Sequence, residues 1–267
     1  MKIGVFDSGV GGLTVLRELI AAIPQADYLY LGDTARLPYG SKSAATVARY
    51  AVSSIHFLVE QGAEYLVIAC NTASALAMRE LQAAVSTEVL GVIEPGALAA
   101  SQISRTGNVW VIGTAATVSS HAYRRELEKL GVTALEKACP LFVPLVEEGW
   151  TEHSVTEQVA RIYLDELAGE SRSNGDKRAD VLVLGCTHYP LLKPLLHRVL
   201  PSEMQMIDSA EATAHDVARH FNVPDVRLPR EPSIRFFATD SVDKFKVLGS
   251  RFLGREIEKV ELIALPE

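Results

Sequence analysis

Cysteine is scarce in this chain: three in 267 residues, with no Cys-x-x-Cys pair among them. Their wide spacing makes no disulfide framework and fits a reducing compartment. Basic residues are not in excess either. Lys and Arg number 26 against 33 Asp and Glu, and the resulting net charge of −7 argues against a general nucleic-acid surface. No apolar run approaches the roughly 18 residues of a membrane span. Met1 leads straight into Ile3-Gly4-Val5-Phe6 without the apolar stretch of a signal peptide, so the expected location is cytoplasmic, with no membrane and no nucleic-acid partner. Neither GxGxxG nor GK[ST] occurs at the glycine-rich turn, which leaves little for a nucleotide reading. The rest is ordinary for a globular protein: 48% hydrophobic, 22% charged, and long enough for one large or two modest domains.

What is present is a duplication. Val183-Leu184-Gly185-Cys186-Thr187-His188-Tyr189-Pro190 has an earlier counterpart in Val67-Ile68-Ala69-Cys70-Asn71-Thr72-Ala73-Ser74. Each is a short aliphatic run, a small residue, a cysteine and two residues able to hydrogen-bond. Such a run suits a buried strand of a parallel sheet. Asn71 or Thr72 can cap a helix over 72–84, and Thr187 with Pro190 can open one near 190–200. Each cysteine then stands between a strand's carboxyl end and a helix's amino end, where open α/β sheets bind ligands. A single free cysteine is usually a small buried hydrophobe. Two in matching contexts point to function, whereas Cys139, in Ala138-Cys139-Pro140, has no such context and reads as structural.

Strands alternate with helices along the whole chain. Ile3 to Phe6 is a strand, Asp7 to Gly12 a tight turn, and Leu13, Leu16, Leu19, Ile20 and Ile23 recur at helical spacing up to Pro24. A strand over Tyr28 to Leu31, a helix over 43–61, the Cys70 unit and a strand over Val89 to Ile93 ending in Glu94-Pro95-Gly96 follow. A helix is expected near 96–104. A second cycle then runs through a strand at Asn108 to Ile112, the turn Gly113 to Thr117 and a helix through Leu130 capped by Ser119 or Ser120. Residues 139–149 read as strand and loop, Ser154 with Glu157 as a capping box for a helix through Leu167, and Gly169 to Asp180 as a solvated loop. After the Cys186 unit come a strand at Met204 to Ile207, a helix over 209–221 and a strand at Ile234 to Ala238. A helix capped by Asp240-Ser241 runs through Phe252, and Val260 to Ala264 is a final strand. The pattern predicts an α/β fold of two similar lobes, each a mainly parallel sheet flanked by helices, with the active site between them. The expected lobes are 1–95 with 209–267, and 96–208.

The turns are short of cations and rich in hydroxyls and amides. A carboxylate, Asp7, beside the backbone amides of Ser8 to Gly12 suits a zwitterion better than a phosphate, although Asp7 can equally be a plain helix cap. Thr114, Thr117, Asn71, Thr72 and Thr187 add donors, so a small carboxylate ligand is held by amides, hydroxyls and helix ends rather than by an arginine fork. His188 lies two residues from Cys186. Cys-x-His lacks the spacing of a four-ligand zinc site, and the imidazole can instead orient the thiol or share its proton. Glu147 ends an apolar run and can equally be a solvated strand end.

Two acid–base groups on opposite sides of one small ligand suit inversion at a carbon: one removes a proton from one face and the other delivers a proton to the opposite face. A thiol of ordinary pKa near 8.5 costs roughly 2 kcal/mol to ionise at pH 7. A helix amino terminus returns about 0.3–1 kcal/mol, and up to ~2 when partly buried. The helix starts after Cys70 and Cys186 are therefore of the right magnitude. Acidifying an amino-acid α-proton further requires water exclusion and hydrogen bonds to the developing enolate-like carboxylate.

The residues that carry this reading resemble those of the glutamate racemases, within the cofactor-independent aspartate/glutamate racemase superfamily. The resemblance covers essentially the full length and rests on Phe6-Asp7-Ser8-Gly9-Val10-Gly11-Gly12-Leu13-Thr14-Val15, Leu37-Pro38-Tyr39-Gly40, Ala69-Cys70-Asn71-Thr72-Ala73, Ile112-Gly113-Thr114 with Thr117, Pro144-Leu145-Val146-Glu147 and Gly185-Cys186-Thr187-His188-Tyr189-Pro190. It implies interconversion of L- and D-glutamate without pyridoxal phosphate, metal or other cofactor, supplying bacterial peptidoglycan. It further implies that Cys70 acts on D-glutamate and Cys186 on L-glutamate, with Asp7, Glu147 and His188 as auxiliary acid–base residues. Ser8, Tyr39, Gly40, Asn71, Thr72, Thr187 and His188 are the implied substrate contacts, with Thr114 and Thr117 added. Ala115-Ala116 departs from the family pattern, which has a glycine before Thr117. A homodimer is the expected assembly. Rival readings are a relative acting on aspartate or a hydantoin, a magnesium-dependent phosphohydrolase, which normally needs a second acid where Gly9 stands, and a non-catalytic binder of an acidic amino acid.

Overall fold

The computed structural model describes residues 1–173, 178–223 and 231–266. In chain order the first half comprises β1 (Lys2–Asp7), α1 (Leu13–Ala22), β2 (Asp27–Gly32), α2 (Ala44–Glu60), β3 (Tyr65–Ile68), α3 (Asn71–Ala84), β4 (Val89–Gly91), α4 (Ile93–Ile103), β5 (Asn108–Gly113), α5 (Ala115–Ser120), α6 (Ala122–Lys129) and β6 (Thr133–Ala138). The second half comprises α7 (Phe142–Glu147), α8 (Ser154–Ser173), β7 (Val181–Gly185), α9 (Lys193–Val199), β8 (Gln205–Asp208), α10 (Ser209–His220), β9 (Ile234–Ala238), α11 (Val242–Leu253) and β10 (Glu261–Leu262). Short 3₁₀ turns occur at Thr34–Arg36, Tyr39–Ser41 and Tyr189–Leu192.

Two sheets result, ordered β10-β9-β2-β1-β3-β4 and β6-β5-β7-β8. Every strand pairing in both is parallel. The fold is α/β as the strand–helix alternation requires, because a parallel pair needs a crossover that covers its faces. Parallel pairing also gathers all strand carboxyl ends of a sheet along one edge. Register places Asp7 opposite Gly32, and Phe6 opposite Ile68 two residues before Cys70. In the other sheet Gly113 pairs with both Ala138 and Gly185.

The alternation of side chains along each strand assigns the cores. Phe6, Leu66 and Ile68 face α2 and α3, while Val109, Val111, Val181 and Val183 face α4 and α6. The opposite faces, Val5 and Val67 of one sheet and Leu182 and Leu184 of the other, join a single apolar cluster that includes Ala210, Ala214 and Val217 of α10. Helix α10 packs on both α1 and α4, and so bonds the sheets' helical layers to each other.

Several local expectations are corrected. Residues 139–149 are not strand and loop: the strand lies earlier, at Thr133–Ala138, and Phe142–Glu147 is helical. β6 is a sheet edge whose Glu136 and Lys137 bond to His121 and Glu166, so it carries none of the continuous apolar character of a central strand. Pro144 falls in the first turn of α7, where its missing N–H costs nothing. Glu94-Pro95-Gly96 likewise belongs to the first turn of α4 and does not end a strand. The expected helix through Leu130 is two helices, broken at His121 with φ +53°, and the first is capped by Thr114, not Ser119 or Ser120. Ser120 instead accepts the N–H of Ala122, the first residue of the second. Helix α8 continues to Ser173 because Leu164, Leu167 and Ser171 keep a buried stripe past Gly169; residues 174–177 of the expected loop lie outside the described residues. The last strand shrinks to Glu261–Leu262.

Gly32 marks the tightest backbone packing at this edge. A Cβ there would sit 2.3 Å from the carbonyl oxygen of Gly9 and 2.8 Å from Phe245. That carbonyl already accepts the Tyr30 hydroxyl at 2.9 Å, so it cannot retreat freely. Gly32→Ala is expected to destabilise the fold by about 1–3 kcal/mol, lowering the calorimetric midpoint by roughly 2–12 °C. An unchanged midpoint would show that the turn after β1 is looser than its packing implies.

Candidate active site

The expected site residues converge where the carboxyl edges of the two sheets meet. Asp7 ends β1 with 1% exposure; its Oδ2 accepts the Gly9 N–H at 2.8 Å, and its Oδ1 has no partner among the described residues. Glycines make room around it. A Cβ at Gly12 would stand 2.5 Å from that of Asp7, and one at Gly11 would stand 2.3 Å from Thr187 Oγ1 and 2.6 Å from the His188 ring. Burial raises the Asp7 carboxyl above its ordinary range, opposed by the charge of His188 and by the amides of Gly9, Gly12 and Ser8.

Cys70 is itself the cap of α3. Its Sγ accepts the Ala73 N–H at 3.5 Å and its thiol points at Ser8 Oγ, also 3.5 Å away. The capping role expected of Asn71 or Thr72 therefore belongs to the sulfur, and those two side chains are released to point elsewhere. Burial pushes the Cys70 thiol up to about 12, and the carboxylate of Asp7 adds to the rise, against the smaller opposing pull of the Ala73 and Ser8 donors.

Cys186 follows β7, and the chain turns into the 3₁₀ segment and then α9, with His188 and not Thr187 at the turn's start. Its Sγ lies 3.9 Å from His188 Nδ1, and His188 Nε2 lies 3.2 Å from Glu147 Oε1. The helical form of α7 is what aims Glu147 at the imidazole. Burial alone would lower the His188 pKa, but the Cys186 thiol and the Glu147 carboxylate outweigh it and raise the pKa to about 10. The hydrogen bond from His188 in turn holds the Glu147 carboxyl below its ordinary range, helped by Lys244 at 3.6 Å. The Phe252 ring packs edge-on against the imidazole, with centroids 5.0 Å apart.

Three hydroxyls link the two halves. Thr72 Oγ1 is 3.0 Å from Thr114 Oγ1, which is 2.9 Å from Thr117 Oγ1. Gly40 abuts the same threonine: a Cβ there would be 3.0 Å from Thr114 Cβ. Tyr39 beside it is buried, its hydroxyl donating to Asp33 Oδ2 at 2.5 Å. Asn71 is fixed from the far side, its Oδ1 accepting the Tyr123 hydroxyl at 2.7 Å and its Nδ2 donating to Ser209 at 3.3 Å. The main-chain carbonyl of Thr187 accepts from Thr14 Oγ1 at 3.0 Å. Cys70 and Cys186 are 4% and 5% exposed, each among polar groups. Among the described residues no group of three or more His, Cys, Asp or Glu side chains is placed as metal ligands would be.

Sequence reasoning did not single out Asp33, Tyr123, Ser209, Lys244 or Phe252. Asp33 carried a usable signal, since Gly32-Asp33 closes β2 as Asp7 closes β1. The others come from helices remote in sequence and acquire their place only by packing.

A family model for Asp/Glu/hydantoin racemase matches residues 3–217. The chain is 55% identical over 286 residues to a glutamate racemase of Koribacter versatilis, covering 98% of this chain and 97% of that one. It superposes on the crystal structure of a glutamate racemase isoform from Bacillus anthracis with a TM-score of 0.89 and 36% identity, covering 99% and 97% of the two chains. The glutamate racemase of Francisella tularensis, solved in complex with D-glutamate, gives a TM-score of 0.86 at 34% identity, covering 98% and 97%.

The raised His188 pKa has a stability consequence. The folded state keeps the imidazole proton that the unfolded chain loses near pH 6.5, so this stabilisation is complete below 6.5 and is lost as pH rises toward about 10. Between pH 6.5 and 8, below the thiol range, stability should fall by up to ~1.4 kcal/mol per pH unit. Denaturant unfolding at several pH values checks this, with His188→Asn expected to flatten the slope. A flat wild-type profile would mean that the imidazole is neutral, or that its proton has come from the Cys186 thiol, since that exchange leaves the number of bound protons unchanged.

Proposed function

Because the chain belongs to the Asp/Glu/hydantoin racemase family, we propose that it interconverts L- and D-glutamate by two-thiol inversion at Cα, with Cys70 and Cys186 as the opposed acid–base pair. What supports this most directly is that each cysteine follows a buried parallel strand, one per sheet, and each has its own ionisable neighbour, Asp7 for Cys70 and His188 for Cys186. Asp7 raises the Cys70 thiol and also feels the charge of His188, the partner of Cys186.

In the L-to-D direction the Cys186 thiolate removes the α-proton. The Cα–H bond breaks, its electron pair moves into the carboxylate as an enolate-like dianion, and the Cys70 S–H delivers its proton to the opposite face. Cys186 ends as a thiol and Cys70 as a thiolate; the reverse direction exchanges the roles. The protonated His188, held by Glu147, stands beside Cys186 as the counter-charge for its thiolate. Asp7 takes the equivalent place on the other side, its free Oδ1 accepting from the substrate ammonium, which would also draw the carboxyl back to its ionised form. The amide of Ser8, the Tyr39–Gly40 segment, Asn71, Thr187 and His188 are substrate contacts by family likeness. Thr72 is a further substrate contact, with Thr114 and Thr117 added. Hydroxyl and amide donors suit the α-carboxylate, since donors already in place cost no reorganisation as charge develops on it. The near-complete burial of both thiols excludes water during the reaction, so substrate entry requires the lobes to part.

The proposed lobes are 1–95 with 209–267, and 96–208. Family likeness also supports a cytoplasmic homodimer whose D-glutamate supplies peptidoglycan, with no added cofactor. Aspartate is the nearest competing substrate.

Purified protein in D₂O, without added cofactor, should carry solvent deuterium into Cα of glutamate and abolish its optical rotation, leaving aspartate unchanged. Cys70→Ser and Cys186→Ser should each lower racemisation by about 10²–10⁴-fold, the range of one acid–base group. A variant of either cysteine that racemises glutamate at the wild-type rate would overturn the two-thiol reading.

A further inference from the structure

One side chain that the proposed reaction does not use touches both cysteine turns. Tyr123, on α6, is fully buried. Its hydroxyl donates to Asn71 Oδ1 at 2.7 Å, and Asn71 is the residue after Cys70. Its ring lies against Gly185, the residue before Cys186: a Cβ at Gly185 would stand 3.0 Å from Tyr123 Cε2. On the opposite edge of the ring, a Cβ at Gly96 of α4 would stand 3.2 Å from Tyr123 Cε1. A glycine on each edge thus makes the space the ring fills.

The two turns belong to different sheets, one following β3 and the other β7. An aromatic ring has no internal torsion, so it spans from the Gly185 backbone to the Asn71 amide as a rigid spacer. The far end of that amide is also taken, since Asn71 Nδ2 donates to Ser209 Oγ at 3.3 Å. With both ends engaged in the interior, the amide cannot rotate without leaving a buried polar atom unpaired. Burial pushes the Tyr123 pKa up, so the phenol stays a proton donor and does not become an anion. A phenylalanine would fill the same space between the glycines. The hydroxyl is therefore the part that calls for a role, and its acceptor is a side chain of the candidate site.

We infer that Tyr123 is a positioning residue for the two-thiol reaction, on which reading this rests: it fixes the orientation of the Asn71 amide and holds the Cys70 turn in register with the Cys186 turn across the junction of the sheets.

Steady-state racemisation of glutamate by the full chain, at a temperature where circular dichroism shows each variant folded, tests this. Tyr123→Phe keeps the ring and removes the donor. It should lower kcat by about 10–10²-fold, the scale of a small misplacement of reacting groups, with KM within about threefold of wild type. Asn71→Ala should lose at least as much, and adding Tyr123→Phe to it should cost less than about a further twofold, because the tyrosine acts through the amide. Ser209→Ala frees the other end of the amide with the ring untouched, and it too should lower kcat more than it raises KM. A loss of stability alone, with wild-type kcat in Tyr123→Phe, overturns the proposal; if Tyr123→Phe does not fold, wild-type kcat in Ser209→Ala overturns it. Additive losses in the double variant overturn it as well, since Tyr123 would then act by a route other than Asn71. Wild-type protein that leaves glutamate unchanged overturns the two-thiol reading and this proposal together, whereas an active wild type with unaffected variants overturns this proposal alone.

Discussion

Position 11 tolerates no side chain, because Thr187 Oγ1 and the His188 ring occupy the space where a Cβ would stand. This contact brings the turn after β1 of the first sheet against the turn after β7 of the second. The Thr14 hydroxyl, 3.0 Å from the Thr187 carbonyl and also bonded to Gly11, fastens the same two turns. Everything at the candidate site follows from that approach. It sets Asp7 within electrostatic reach of His188 on the other sheet, while the same carboxylate acts on the Cys70 thiol of its own sheet. Two parallel sheets with all carboxyl ends on one edge have one natural way to share a site, which is edge to edge, and the glycines of the first turn are what let the edges close.

The two halves of the site are similar in topology and unlike in electrostatics. Cys70 has a carboxylate and a hydroxyl as neighbours and is held as a strong thiol. Cys186 has an imidazole backed by Glu147, itself near Lys244, and the imidazole's affinity for a proton is raised. A reaction that runs in both directions across one carbon needs two acid–base groups, but nothing requires them to be tuned alike. The asymmetry originates in what the neighbours of each half supply. The α7 helix provides Glu147, and α11, from the far end of the chain, provides Lys244 and Phe252.

Hydrogen-bonding economy runs through the interior. Asp33 accepts from Arg36 Nε, Tyr39 and Thr239, and Asn71 is held by Tyr123 and Ser209. In each case a residue beside the candidate substrate segment is anchored by one from an element distant in sequence. A buried network of this kind fixes rotamers, since every alternative orientation leaves a polar atom unpaired. The few atoms left without partners therefore stand out against a saturated background.

The alternation of apolar runs and amphipathic segments determined the α/β class and the parallel sheets, because buried parallel strands and the helices crossing them have distinct periodicities. The repeated strand-cysteine-polar pattern also brought Cys70 and Cys186, and the glycine turn with Asp7, forward as chemistry. Local pattern failed where the energy was not local. Phe142 to Val146 has the apolar β-branched look of a strand, yet an edge strand at Thr133–Ala138 already held the sheet position, and helix α7 was left to aim Glu147. Asn71 and Thr72 have good capping chemistry, yet the Cys70 sulfur caps α3, because tertiary partners across the junction claim both side chains. Only the tertiary structure decided which carboxylate meets which imidazole, and how far each thiol is taken from water, since burial and long-range contacts set those quantities and neither is written in neighbouring residues.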